Sequence, residues 1–112
     1  MEFNISSAAL LKGIMDVYKA IPTKTAFPIL ENFLFVLNGS ELEITASDQE
    51  LTLRTKIEVD NVVESGSIAV PARQAIDLLK ELPDQPLTIN TTSDSSFVCS
   101  WASGESTLPY FP

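Results

Sequence analysis

The sequence predicts an α+β fold made of two βαβββ units, with two helices packed side by side on antiparallel sheets. Three observations predict it: two amphipathic helical stretches each stopped by a proline, short alternating runs after each of them, and a second half that restarts the order of the first. Glu2-Phe3-Asn4-Ile5 alternates polar and apolar like a short strand. Ser6 and Ser7 offer an N-cap, and Leu11, Ile14, Met15, Tyr18 and Ile21 then recur at helical spacing until Pro22. Residues 22–28, with two prolines, read as a loop with Lys24 at its tip. Ile29 to Leu37 is rich in β-formers, and Asn38-Gly39 is a hairpin signal that calls for a partner strand at Leu42 to Thr45. After a turn at Ala46-Ser47-Asp48, residues Leu51 to Val59 alternate as a third strand with one buried face.

The second unit follows a turn from Asn61 to Gly66. It has a strand at Ser67 to Val70, a helix from Pro71 to about Leu82 with Pro83 as its stop, and strands at Leu87 to Thr91, Phe97 to Trp101 and Glu105 to Tyr110. The helices support the repeat: Lys12, Asp16 and Lys19 match Arg73, Asp77 and Lys80 in sign and spacing. The apolar positions align in the same register, Leu11 with Ala72 and Ile14 with Ala75. With their apolar stripes on the sheets, both helices turn their charged stripes outward onto one surface.

Composition limits the chemistry. At 112 residues and 45% hydrophobic, the chain is one domain, 1–112, with a core of its own. It has no His, so His-based triads and zinc sites are excluded, and no metal-ligand spacing or Gly-rich phosphate loop replaces them. Asp48 and Glu50 lie on a turn without a partner base, and Cys99 sits in a strand beside Trp101, so neither carries a catalytic expectation. The chain is expected not to be an enzyme and to need no cofactor. A single Cys, no signal-like start and no membrane-length apolar run point to a cytoplasmic protein without membrane contact.

The charge is unevenly placed. Residues 6–24 and 71–82 hold five basic residues, Lys12, Lys19, Lys24, Arg73 and Lys80, against three acidic ones; the remainder holds Arg54 and Lys56 against twelve acids. A mildly basic face on an acidic body suits a protein that sits near phosphate backbones without gripping them. From charge alone, an ordinary solvated helix face with i,i+4 ion pairs, Lys12 to Asp16 and Arg73 to Asp77, is the better reading.

Several separate motifs agree in order and spacing with one family. Leu10-Leu11-Lys12, "FPILENFL" at 27–34, "TASDQE" at 45–50, "GSIAVPAR" at 66–73 and Leu82-Pro83 resemble the first domain of the bacterial DNA polymerase III β subunit, the sliding clamp. The resemblance runs from Phe3 to about Ile89. It implies the DNA-clamp fold and a processivity function: a ring of two head-to-tail, three-domain subunits that holds the replicative polymerase on double-stranded DNA, with helices lining the hole. It places DNA contacts at Lys24 and Arg73, with Lys12, Lys19 and Lys80 on the same surface. Lys24 stands where Arg is common in the family, which keeps the charge but loses the bidentate fork. Contacts between subunits fall on Leu78, Leu108 and Tyr110, although "WASGESTLPYFP" departs from the family pattern. DNA polymerase III and the clamp loader are implied partners through the complete ring. Only the first third of a subunit is covered, so this chain alone is expected to be a monomer or weak dimer with little affinity for DNA at physiological salt. An acidic protein-interaction module without DNA contact is the alternative.

Overall fold

The computed structural model describes residues 1–111. Nine strands and two helices follow one another as β1 (Glu2–Ser6), α1 (Ser7–Val17), β2 (Asn32–Asn38), β3 (Glu41–Ser47), β4 (Thr52–Glu58), β5 (Asp60–Val63), β6 (Gly66–Pro71), α2 (Ala72–Glu81), β7 (Pro86–Thr91), β8 (Ser96–Trp101) and β9 (Gly104–Pro109). They form a five-stranded antiparallel sheet, β5-β1-β7-β8-β9, and a four-stranded one, β4-β3-β2-β6.

The two units exchange their first strands. β1 pairs with β7 of the second unit, and β6 pairs with β2 of the first. The two pairings share a register: Phe3, Ile5 and Ser6 face Ile89, Leu87 and Pro86, as Ile68, Val70 and Pro71 face Phe35, Phe33 and Asn32. The repeat is therefore present in the backbone, and the exchange ties each half to the other through main-chain hydrogen bonds. Period-two alternation sends Phe33, Phe35 and Leu37 inward from β2, and Leu42, Ile44 and Ala46 inward from β3. Phe35 of one sheet meets Phe97 of the other edge to face, with ring centroids 5.9 Å apart.

The same registers correct the helix alignment read from sequence. Since Ser6 is equivalent to Pro71, Ser7 matches Ala72 and Leu10 matches Ala75, one helical turn away from the pairing of Leu11 with Ala72. A slip of one turn keeps nearly the same face, so periodicity alone tolerates either register. The buried stripe of α1 is Ser7, Leu10, Gly13, Ile14 and Val17, whereas Met15, expected in the stripe, is 39% exposed. Gly13 sets this orientation. A methyl group added there would run into Ile57 Cδ1 of β4 and lie 3.3 Å from Ile44 Cδ1 of β3, so the bare backbone gives the helix its seat on the sheet.

Other boundaries also differ. The α-helix ends at Val17 and continues to Ala20 as a 3-10 turn, and Pro28–Glu31 forms another, so β2 begins at Asn32 rather than Ile29. The hairpin loop is Gly39-Ser40, because Asn38 already pairs with Glu41; Gly39 takes φ +60° at the first loop position, as type II′ turns prefer. Pro71 ends β6 and caps α2 instead of opening it. Asp60–Val63, of which Asn61–Val63 read as turn in the sequence, form the edge strand β5 on β1. The expected buried face of the third strand is only half-buried at Leu53 and Ile57, because β4 is a sheet edge.

Candidate nucleic-acid interface

α1 and α2 pack against each other over the sheets, and α1 is fixed at its start by four bonds to the segment that follows α2. Ser7 N donates to Gln85 O at 2.8 Å, Ser7 Oγ donates to Pro83 O at 3.1 Å, and Gln85 N donates to Ser7 Oγ at 2.9 Å. The helix N-terminus is capped from both halves: Ala9 N donates to Ser6 Oγ at 3.1 Å, and Ala8 N donates to Asp84 Oδ1 at 3.3 Å. These contacts hold the outer faces of the two helices in one fixed relation.

The five candidate cations, four on the helices and their 3-10 continuation and Lys24 in the loop after α1, are all exposed. Lys12 extends from α1 with its Nζ 3.2 Å from Asp16 Oδ2, and Arg73 extends from the first turn of α2 with its Nε 3.8 Å from Asp77 Oδ2. Lys19 lies in the 3-10 turn that continues α1, and Lys80 lies in the last turn of α2, where the helix dipole favours a cation. A recess of about 560 Å³ separates the loop after α1 from the start of α2; Pro22 and Thr23 stand on one side, Arg73 and Gln74 on the other. The structure thus brings Arg73 opposite the loop that carries Lys24.

Lys24 itself faces a second groove, of about 450 Å³, whose other wall is Asp48, Gln49 and Glu50. Its nearness to these acids is invisible in sequence, since it comes from the packing of the loop against the β3–β4 turn. Asp48 has the turn role expected of it. Its Oδ1 accepts from Leu51 N at 2.6 Å and Glu50 N at 2.7 Å, and these two bonds hold its carboxyl below the usual range. Burial pushes the Cys99 thiol up to about 11, which suits a packing residue and not a nucleophile.

The candidate subunit-contact residues are placed differently from the cations. Leu108 is 9% exposed and half-buried Leu78 packs near it, both against Ala75, Leu79 and Phe97 where α2 meets β9. Tyr110 donates its hydroxyl to Thr92 O at 3.0 Å and its N–H to Ser95 O at 3.1 Å. Leu108 and Tyr110 therefore anchor the last strand from within, while β9 is a free edge of the five-stranded sheet among the described residues. No group of three or more metal-ligating side chains occurs among the described residues, and no described helix is long and apolar enough to cross a membrane.

Two strand-exchanged units, with paired helices presenting cations on the face away from the sheets, define the class of DNA-clamp domains. Comparison with known proteins gives the family. Residues 1–112 match the family described as DNA polymerase III beta subunit, N-terminal domain, and the chain belongs to it. It is 36% identical to the beta sliding clamp of Pseudomonas putida over 87 residues, which are 78% of this chain and 24% of that protein. It is 34% identical to the beta sliding clamp of Vibrio harveyi over 87 residues, 60% of that protein. Among solved structures, the DNA polymerase III subunit beta of Pseudomonas aeruginosa superposes on all of the chain with a TM-score of 0.92 and 32% identity, over 30% of its own length. The DNA polymerase sliding clamp of Caulobacter crescentus gives a TM-score of 0.91 at 26% identity. The chain thus spans about a quarter of the Pseudomonas putida relative.

Proposed function

We propose that this domain works as the first of three domains in a sliding clamp subunit. Two such subunits close into a ring around duplex DNA and tether the replicative polymerase, with no bond made or broken. The observation that carries this reading is the joint one of family membership and an outer helical face on which Lys12, Lys19, Lys80 and Arg73 stand exposed, with Lys24 on the adjoining loop. Cations on exposed side chains, facing a polyanion of regular charge spacing, give sequence-independent attraction that does not favour one position along the duplex. DNA polymerase III and the clamp loader bind the complete ring, which acts in the cytoplasm. A neighbouring subunit meets the free edge of β9; Leu78 contributes at the surface, and Leu108 and Tyr110 hold the strand in shape.

Titration of a labelled duplex at low ionic strength, across a salt series, tests the DNA face. Lys24→Ala with Arg73→Ala is expected to weaken binding and to flatten the slope of log K against log salt by about 0.9 for each phosphate no longer neutralised. An unchanged slope removes both residues from the interface. The denatured mass of the native protein, read with an antibody against this domain, tests the three-domain reading: a chain several times longer supports it, and a chain of this length sends the interaction-module reading to the front.

A further inference from the structure

We propose that Asp16 and Asp77 are built-in counterions that compete with DNA phosphates for Lys12 and Arg73 and so keep the grip of the helical face weak. This rests on the reading of that face as the DNA-facing surface. Both carboxylates lie one turn beyond their cation on the same exposed side of a helix, at 3.2 Å in α1 and 3.8 Å in α2, and both pairs are open to solvent. Structural stabilisation explains them poorly, because an exposed i,i+4 pair holds its ends together by only about a factor of two. The same weakness makes them suitable competitors. A phosphate that approaches Lys12 or Arg73 displaces a carboxylate already in place, so part of the usual gain from counterion release is missing.

The displaced carboxylate also stays close. It cannot leave the helix, so it remains well within a Debye length of about 10 Å at 0.1 M salt and repels the phosphate it has yielded to. Asp16 leaves α1 and its 3-10 continuation one net positive charge, while Asp77 and Glu81 cancel Arg73 and Lys80 on α2. The attraction along this surface is therefore shallow, which suits a duplex that must pass over it. Among the acids outside the helices, Glu31 shares the recess lined by Arg73 and Asp48 and Glu50 face Lys24, whereas Asp60 on β5 and Glu105 on β9 are exposed but belong to sheet edges.

The test is fluorescence anisotropy of this chain with a short labelled DNA duplex over a salt series from low ionic strength. In Asp16→Asn/Asp77→Asn, lost competition contributes about fourfold and lost repulsion carries the total to roughly tenfold tighter binding at low salt. The salt slope should steepen by about one. Asp60→Asn/Glu105→Gln changes the net charge equally and should tighten binding by no more than about twofold. Equal tightening in the two double variants, or none in the first, overturns the proposal. In a Lys12→Ala/Arg73→Ala background the gain from removing Asp16 and Asp77 should fall to about threefold, and a full gain there also overturns it. The Lys12→Ala/Arg73→Ala protein alone separates the two failures. If it binds DNA as tightly as wild type, the DNA-face reading is wrong; if it binds less tightly and the aspartate variants have no effect, only the counterion role is wrong.

Discussion

Ser7 is the buried polar residue of the described chain, 2% exposed, and its hydroxyl bridges the start of α1 to the segment after α2. Ser7→Ala removes a donor to Pro83 O and the acceptor for Gln85 N, while the Ser7 N to Gln85 O bond survives. Pro83 O retains Gln85 Nε2 as a donor at 3.3 Å, so the main loss is the partner of the Gln85 amide. Two hydrogen bonds at about 1 kcal/mol each give about 2 kcal/mol, and the better helix propensity of Ala returns about 0.5 kcal/mol. The expected cost is about 1.5 kcal/mol, or a fall in Tm of roughly 6 °C for a domain of this size. Urea denaturation measures the first number. Amide hydrogen exchange supplies a sharper test, since Gln85 should lose protection beyond what global destabilisation accounts for. A variant within about 0.5 kcal/mol of wild type, with Gln85 still protected, refutes the reasoning.

Three further outcomes are expected. Phe35→Leu and Phe97→Leu should each destabilise the domain, and their double-mutant cycle should return a coupling of about 1 kcal/mol for the edge-to-face pair; additive effects would show that the rings contribute by area alone. Cys99 should react with a thiol reagent at pH 8 only in denaturant, because it is buried and its pKa is raised to about 11, and rapid labelling of the native protein would contradict that burial. Asp48 should titrate by NMR below the ordinary Asp value of about 3.9, since its ionised form accepts the two turn amides. The folded-state pKa is the depressed one, so this contribution to stability is present above the unfolded pKa and is lost as pH falls through the folded value. Asp48→Ala should abolish that part of the acid dependence.

Legibility in the sequence followed the range of the interactions involved. Both helices, their proline stops, eight of the strands and the outward placing of the five cations follow from local periodicity and turn chemistry, which act within a few residues. β5 was not legible because Asp60–Val63 is mostly exposed and becomes a strand by pairing with β1. The buried face of α1 was ambiguous because Leu10, Leu11, Ile14, Met15 and Val17 spread over an arc of about 160°, wider than the stripe that is buried. What chose among them was the fit of Gly13 beneath Ile44 and Ile57 of distant strands.

By itself, then, the sequence determined the fold class, the two-unit order and a basic helical face on an acidic body, because side-chain period and charge are properties of neighbours in the chain. Only the tertiary structure decided that the units exchange their first strands, that the true repeat register lies one helical turn from the apparent one, and that Lys24 faces the acidic turn at Asp48 and Glu50. Those are relations between segments far apart in the chain. Their free energy comes from main-chain pairing and packing that exist once both partners are in place.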